Sequence, residues 1–247
     1  MVILYERSAR SILHAALLCA LDPAAEPMLR EEFQRGLRID EASHESIYRF
    51  SRTCREVIAA YPAASWLRFR GPLAWVERAL FFGARSRAEG AAETIFAAIH
   101  HALHHGIDPL IAGTSPPARA LHELVRGVIA EIRAAADGVR LVRFTDGRTR
   151  CLVGRYRFRH DVADLAAHQL AQRYPGQRII LLDRQRAVVA QGRRSWVEPA
   201  EVYLPILDHP ERAPRVAQRR GAPAAAPDAL PKIPRRYFKW LEDIGEV

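Results

Sequence analysis

The sequence predicts an α+β protein: a helical N-terminal half over residues 1–138, a ββαββ antiparallel-sheet unit over 139–207, and an arm over 208–247. Three observations lead to this division. Apolar residues recur at helical spacing as far as Gly138, alternate with polar ones from Val139 onward, and thin out after residue 208.

Each element has a local cause. Val2 to Tyr5 reads as a short strand. Ser8 to Leu21 carries Ile12, Ala15, Ala16, Leu18 and Cys19 on a helical stripe and stops at Asp22-Pro23, because proline cannot continue a helix. Asp40 or Ser43 is expected to cap a helix reaching Tyr61, with Ile47, Phe50, Cys54, Val57 and Ile58 facing inward. Pro72 opens the next helix through Leu73, Val76, Leu80 and Phe81. Ala88 to His105 continues the pattern until Gly106. Ser115-Pro116-Pro117 then starts a helix of Leu121, Leu124, Val125, Val128, Ile129 and Ile132, which Asp137-Gly138 ends.

Beyond Gly138 the period shortens to two. Val139–Thr145 and Arg148–Tyr156 flank Asp146-Gly147, a tight-hairpin signal. In that register Val142 and Phe144 share a face with Cys151 and Val153, while Arg143, Arg148 and Arg150 take the other. Parity inverts past Gly154, which predicts a bulge or the end of pairing there. A helix over Asp161–Tyr174, with Val162, Leu165, Ala166, Leu170 and Ala171 inward, precedes a second hairpin. This pairs Ile179–Leu182 with Ala187–Gln191 around Asp183-Arg184-Gln185-Arg186. Residues 209–234 are rich in proline, alanine and arginine and read as a linker or loosely packed arm. The run Arg235 to Leu241 reads as a docked terminal helix or a basic, aromatic partner-binding tail.

Positive charge is gathered in one place. Thirteen arginines and four aspartates between residues 139 and 194 give that segment +9, equal to the formal net charge of the whole chain. A polyanionic partner follows, with a nucleic acid as the expected one. The expected nucleic-acid contacts are Arg143, Arg148, Arg150, Arg155, Arg157, Arg159, Arg173, Arg184 and Arg186. Tyr156 and Phe158, set between arginines, are expected to stack on unpaired bases.

Other classes are excluded or left without support. There is no Gly-x-Ser-x-Gly nucleophile motif, no phosphate loop ending in Gly-Lys-Ser/Thr and no dinucleotide glycine fingerprint. Cys19, Cys54 and Cys151 sit far apart in apolar runs, as reduced core thiols do. No apolar run approaches the roughly 18 residues that span a bilayer, so a cytoplasmic protein without a membrane partner is expected. His100, His101, His104 and His105 form two i, i+4 pairs, but Asp108, the only close acid, lies beyond Gly106. They are read as a polar helix C-terminus favoured by the helix dipole, and neither metal nor other cofactor is expected.

An enzymatic alternative uses His168 or His160 as general acid/base, Asp183 to orient it and Arg143, Arg173 or Arg186 at a phosphate. Against it, Asp161 is placed to cap a helix, and Asp183 and Arg186 to pair across a turn. A protein-docking scaffold is a third reading.

The residues Glu131, Val142-Arg143-Phe144, Arg159-His160-Asp161, Leu165 to Tyr174 and Ile179 to Ala187 carry a resemblance. Over roughly residues 1 to 195 the chain resembles the radical-SAM-linked family of probable DNA metabolism proteins, whose shared domain of unknown function also occurs fused to uracil-DNA-glycosylase-type domains. The matching positions are Glu131, Arg143, Phe144, His160, His168, Arg173, Asp183 and Arg186. The family's usual Glu-x-His-Arg run reads Glu131-Ile132-Arg133-Ala134 here. The resemblance implies a DNA repair or modification setting, an accessory role and a radical-SAM partner protein.

Overall fold

Local sequence signals set most of the element boundaries. A computed structural model of the chain describes residues 2–30, 42–43, 49–208 and 239, and two compact units divide it, Met1–Val128 and Ile129–Val247. The arm and the aromatic tail, Lys239 apart, lie outside the described residues.

In the first unit, β1 (Val2–Tyr5) is the centre of a three-stranded parallel sheet between β2 (Glu26–Leu29) and β3 (Ala42–Ser43). Only β1 was expected. Pro27 is tolerated in β2 because that strand is an edge. Helix α1 (Ala9–Leu21) begins where expected, Ser8 accepting a hydrogen bond from the Ser11 N–H at 3.3 Å. Its Leu13 and Leu17 are wholly buried, and it packs on β1, α2 (Phe50–Ala60) and α3 (Arg70–Gly83).

Ser43 is not the cap of α2: its backbone pairs with Ile3, and the helix starts after Arg49. Asp40 and Ile47 lie outside the described residues. Between α1 and α2 a buried polar pair is satisfied internally, His14 Nε2 standing 3.1 Å from Thr53 Oγ1. Helix α4 (Ala91–His105) starts three residues later than expected and ends, as expected, at Gly106, whose φ of +84° favours glycine. A short α5 (Asp108–Ala112) leads to α6 (Pro116–Gly138), and the division between the units falls within α6.

The second unit is built on a five-stranded sheet in the order β4-β5-β6-β7-β8, comprising β4 (Val142–Asp146), β5 (Thr149–Arg155), β6 (Arg178–Asp183), β7 (Arg186–Gln191) and β8 (Arg194–Pro199). Neighbours are antiparallel except β5 and β6, which run parallel. The parallel pair needs a crossover, and α7 (Ala163–Arg173) supplies it. All three tight turns leave two residues between paired strands: Gly147-Arg148, Arg184-Gln185 and Gly192-Arg193. The first lies one residue later than the Asp146-Gly147 signal indicated, which moves Arg148 from the sheet face to the hairpin tip. Strand β8 was not expected.

The two faces of this sheet have different covers. Phe144, Cys151, Val153, Ile180, Leu182 and Val189 form one face with Ala200, Tyr203 and Ile206, the last in α8 (Leu204–Asp208). Helix α7 packs on β6 and β7 from the opposite side, where Leu165, Leu170, Ile179, Leu181 and Val188 are buried. The parity change at Gly154 marks the end of pairing with β4, while pairing with β6 continues through Arg155. Strand β4 stops pairing at Val153, and β5 ends at Arg155.

Gly154 has a second role. A Cβ there would stand 2.6 Å from Val139 Cγ2 and 3.0 Å from the Arg140 carbonyl, so the chain entering β4 crosses where a side chain would be. All three cysteines are free, and among the described residues no helix is long and apolar enough to cross a membrane. Gly154→Val is expected to destabilise the sheet unit by about 1–3 kcal/mol through overpacking. Gly71→Ala, with nothing within 4 Å of the new methyl, should be neutral or slightly stabilising. Denaturant midpoints of the two variants measure this.

Candidate nucleic-acid interface

The arginine-rich segment sorts its guanidinium groups by partner. Arg178 and Arg186 are the two that are half-buried, and both are ion-paired. Arg178 binds Asp146 at 2.9 Å and lies against the Trp196 ring, 5.8 Å from its centroid. Arg186 binds Asp161 at 2.8 Å and Asp183 at 3.6 Å. Burial alone would push the Arg186 guanidinium down, but the Asp161 hydrogen bond and the charges of Asp161, Asp183 and Asp164 outweigh it and leave it raised. Arg173 is exposed yet engaged, donating to the Ala136 carbonyl at 2.8 Å and to Asp137 at 2.7 Å.

The segment's aspartates are thereby occupied. Asp146, Asp161 and Asp183 serve Arg178 and Arg186, while Asp164 is buried. Arg143, Arg148, Arg150, Arg155, Arg157, Arg159 and Arg184 are all exposed. Among the described residues, none of these seven has a carboxylate within ion-pair distance.

Three of them meet. Arg143 and Arg150 lie on one face of the β4–β5 hairpin, since Arg143 is opposite Leu152 and Arg150 opposite Thr145. Arg148 and Arg150 line a cleft of about 430 Å³ with Pro175, Gly176, Gln177 and Gln191. A second, of about 400 Å³, is lined by Arg143, Thr145, Arg150 and Gln177. The clefts share Arg150 and Gln177, so the loop between α7 and β6 forms a wall common to all three arginines. The hairpin holds the charges at fixed register, and the amides of Gln177 and Gln191 add neutral donors.

Of the residues named for chemistry, Asp183 and Arg186 meet Asp161 beside the loop between β5 and α7, whereas Arg143 lies in the hairpin cleft and Arg173 at Asp137. Asp183, about 1% exposed, accepts from the Phe158 N–H at 3.4 Å and pairs with Arg186. Asp161 does not cap α7. The N-cap is Val162, and the Asp161 carboxylate reaches Arg186 from 25 residues away instead. Glu131 of α6 completes the loop, its two oxygens accepting from the Arg159 N–H at 2.7 Å and the His160 N–H at 2.8 Å. These bonds fix the loop backbone.

Burial decides what the remaining candidates can do. His168 is about 1% exposed, as closed to solvent as Asp183. Phe158 is also about 1% exposed and packs against Tyr156 with ring centroids 4.8 Å apart, so it is a core ring and not a stacking platform for bases. The alternation of arginine and aromatic residues suggested exposure, but the loop turns Phe158 inward under the bonds of Asp183 and Glu131. Among the described residues no group of three or more histidine, cysteine, aspartate or glutamate side chains is arranged to hold a metal ion.

Gln177 and Gln191 were not anticipated as part of the interface. The only signal was their place beside turn glycines, Gly176 at φ +79° and Gly192 at φ +58°. A family model described as a domain of unknown function, DUF4130, matches residues 89–242, more than half of the chain. No curated protein matches.

Glu131→Ala would leave two adjacent backbone N–H groups without their acceptor. It is expected to destabilise the loop by about 1–3 kcal/mol. Hydrogen exchange at the Arg159 and His160 amides should then accelerate while the β6 and β7 amides keep their protection.

Proposed function

The chain thus belongs to the DUF4130 family, and from that premise we propose that it is a DNA-associated accessory protein gripping phosphates through Arg143, Arg148 and Arg150. The observation that carries this reading is the pair of clefts joined at Arg150 and Gln177, lined by three exposed guanidinium groups with no carboxylate answering them among the described residues. Guanidinium forks suit phosphate oxygens, and a fixed hairpin presents them at constant spacing. Arg155, Arg157, Arg159 and Arg184 extend the positive surface over the same unit.

A setting in DNA repair or modification, with a radical-SAM partner, is the finer part of the proposal. It rests on the resemblance carried by Glu131, Arg143, Phe144, His160, His168, Arg173, Asp183 and Arg186. An accessory role is favoured over a catalytic one because His168 and Asp183 are each about 1% exposed and Asp183 is already held by Phe158 and Arg186. A general acid/base must reach the proton it moves.

Fluorescence anisotropy with single- and double-stranded oligonucleotides across a salt series tests the proposal. For duplex DNA, three phosphate contacts contribute about 2.7 to the slope of log affinity against log salt, a loss of roughly 40-fold between about 50 and 200 mM. The triple variant Arg143→Ala/Arg148→Ala/Arg150→Ala should lose that part of the slope and bind at least tenfold more weakly at low salt. Arg173→Ala, whose guanidinium is held by Asp137, should leave the slope unchanged. Equal slopes and affinities for the triple variant and the wild type would remove the proposed surface.

A further inference from the structure

The four histidines at the end of α4 stand apart from the arginine surface. His100 and His104 are exposed and one helical turn apart, with their Nε2 atoms facing each other at 3.2 Å. His104 is steadied by Tyr61, whose ring meets it edge-on with centroids 4.7 Å apart, and Tyr61 is itself anchored by a 2.8 Å hydrogen bond from its hydroxyl to the Ala20 carbonyl. The four imidazoles open into a cleft of about 740 Å³ walled by Ala16, Cys19, Ala20, Phe96 and Pro117.

The spacing of those nitrogens can be set against metal geometry. Two imidazole nitrogens bound at about 2.0–2.1 Å to a tetrahedral ion stand about 3.3–3.4 Å apart. Two cis positions of a square-planar ion put them about 2.9 Å apart. The observed separation of 3.2 Å lies between these values, and the two nitrogens share a hydrogen bond, so an ion would replace the bridging proton and draw both lone pairs onto itself at nearly unchanged N–N spacing. We propose that His100 and His104 form a two-histidine site for an imidazole-preferring divalent ion of the zinc and copper class, its other positions filled by water from the cleft.

The surroundings are compatible with ligation. Neutral imidazole is the form that ligates a metal, and both rings stand at the mouth of a cleft roomy enough for water. Burial, and then the Asp22 charge, push the Cys19 thiol up to about 11, so in the metal-free chain it stands on the cleft wall as a neutral group. His101 and His105 form a parallel pair, their ring centroids 4.4 Å apart, which serves as the internal comparison.

Isothermal titration of the full chain with zinc alone, copper alone and magnesium alone tests the site. One saturable event is expected for zinc and a tighter one for copper, following the general affinity order, with none for magnesium. His100→Ala and His104→Ala should each weaken zinc about tenfold or more, while His101→Ala changes it by less than about threefold. Alanine is the best helix former and both positions are exposed, so unchanged helical circular dichroism separates ligand loss from unfolding. Three outcomes would overturn the site: no saturable zinc binding, binding that survives both His100→Ala and His104→Ala, or binding lost only with His101→Ala/His105→Ala.

Discussion

A carboxylate buried at the end of a sheet must be answered by donors, and the Asp183 carboxylate organises the C-terminal unit on that account. Its partners are the Phe158 N–H, 25 residues earlier, and Arg186 across a two-residue turn. Arg186 in turn holds Asp161, so one buried charge ties the end of β6, the start of β7 and the loop entering α7. Glu131 pins the same loop from α6. Leaving such a buried group unanswered costs several kcal/mol, which is why the crossover takes a single course.

That arrangement also governs the surface. The segment between 139 and 194 holds only four aspartates, and three of them are engaged by the two least exposed arginines. Three of the acids that could neutralise the exterior are thereby committed to Arg178 and Arg186, and seven exposed arginines face solvent with no carboxylate partner among the described residues. A net charge spread evenly over the chain would not produce this. These ion pairs leave the basic surface without its nearest counter-charges, and the β4–β5 hairpin gathers three of its members at one edge.

Much of the fold was legible because its signals are local. Ser8 at the start of α1, Ser115-Pro116 at the start of α6, Gly106 at the end of α4 and the alternation of Val142, Phe144, Cys151 and Val153 each act within a few residues. Strand β8 was not legible because Trp196 and Val197 are its only large apolar residues, as suits an edge strand. β2 contains a proline, which argues against a strand unless the edge is known. The Arg184-Gln185 turn places an arginine at φ +57°, a conformation that no turn rule assigns to that residue. The Asp161 and Phe158 readings failed for one reason: their partners are distant in sequence, and local rules for caps and exposed alternation were applied where a long-range bond prevailed. The cluster of Arg143, Arg148 and Arg150 was partly legible, by parity for Arg143 and Arg150, whereas Gln177 joined it only through the α7–β6 loop.

Aspartates hold the half-buried Arg178 and Arg186, whereas Arg143, Arg148 and Arg150 are exposed without a carboxylate partner among the described residues, which leaves them open to a polyanion on the proposed reading. Covalent labelling of guanidinium groups by a dicarbonyl reagent, read by mass spectrometry with and without a duplex oligonucleotide, tests both halves together. Arg186 is expected to be labelled slowly in either state, and Arg143, Arg148 and Arg150 rapidly in the free chain, with protection when DNA is added. Equal labelling of Arg186 and Arg150 in the free chain, or DNA protection that spares the β4–β5 hairpin, would contradict this.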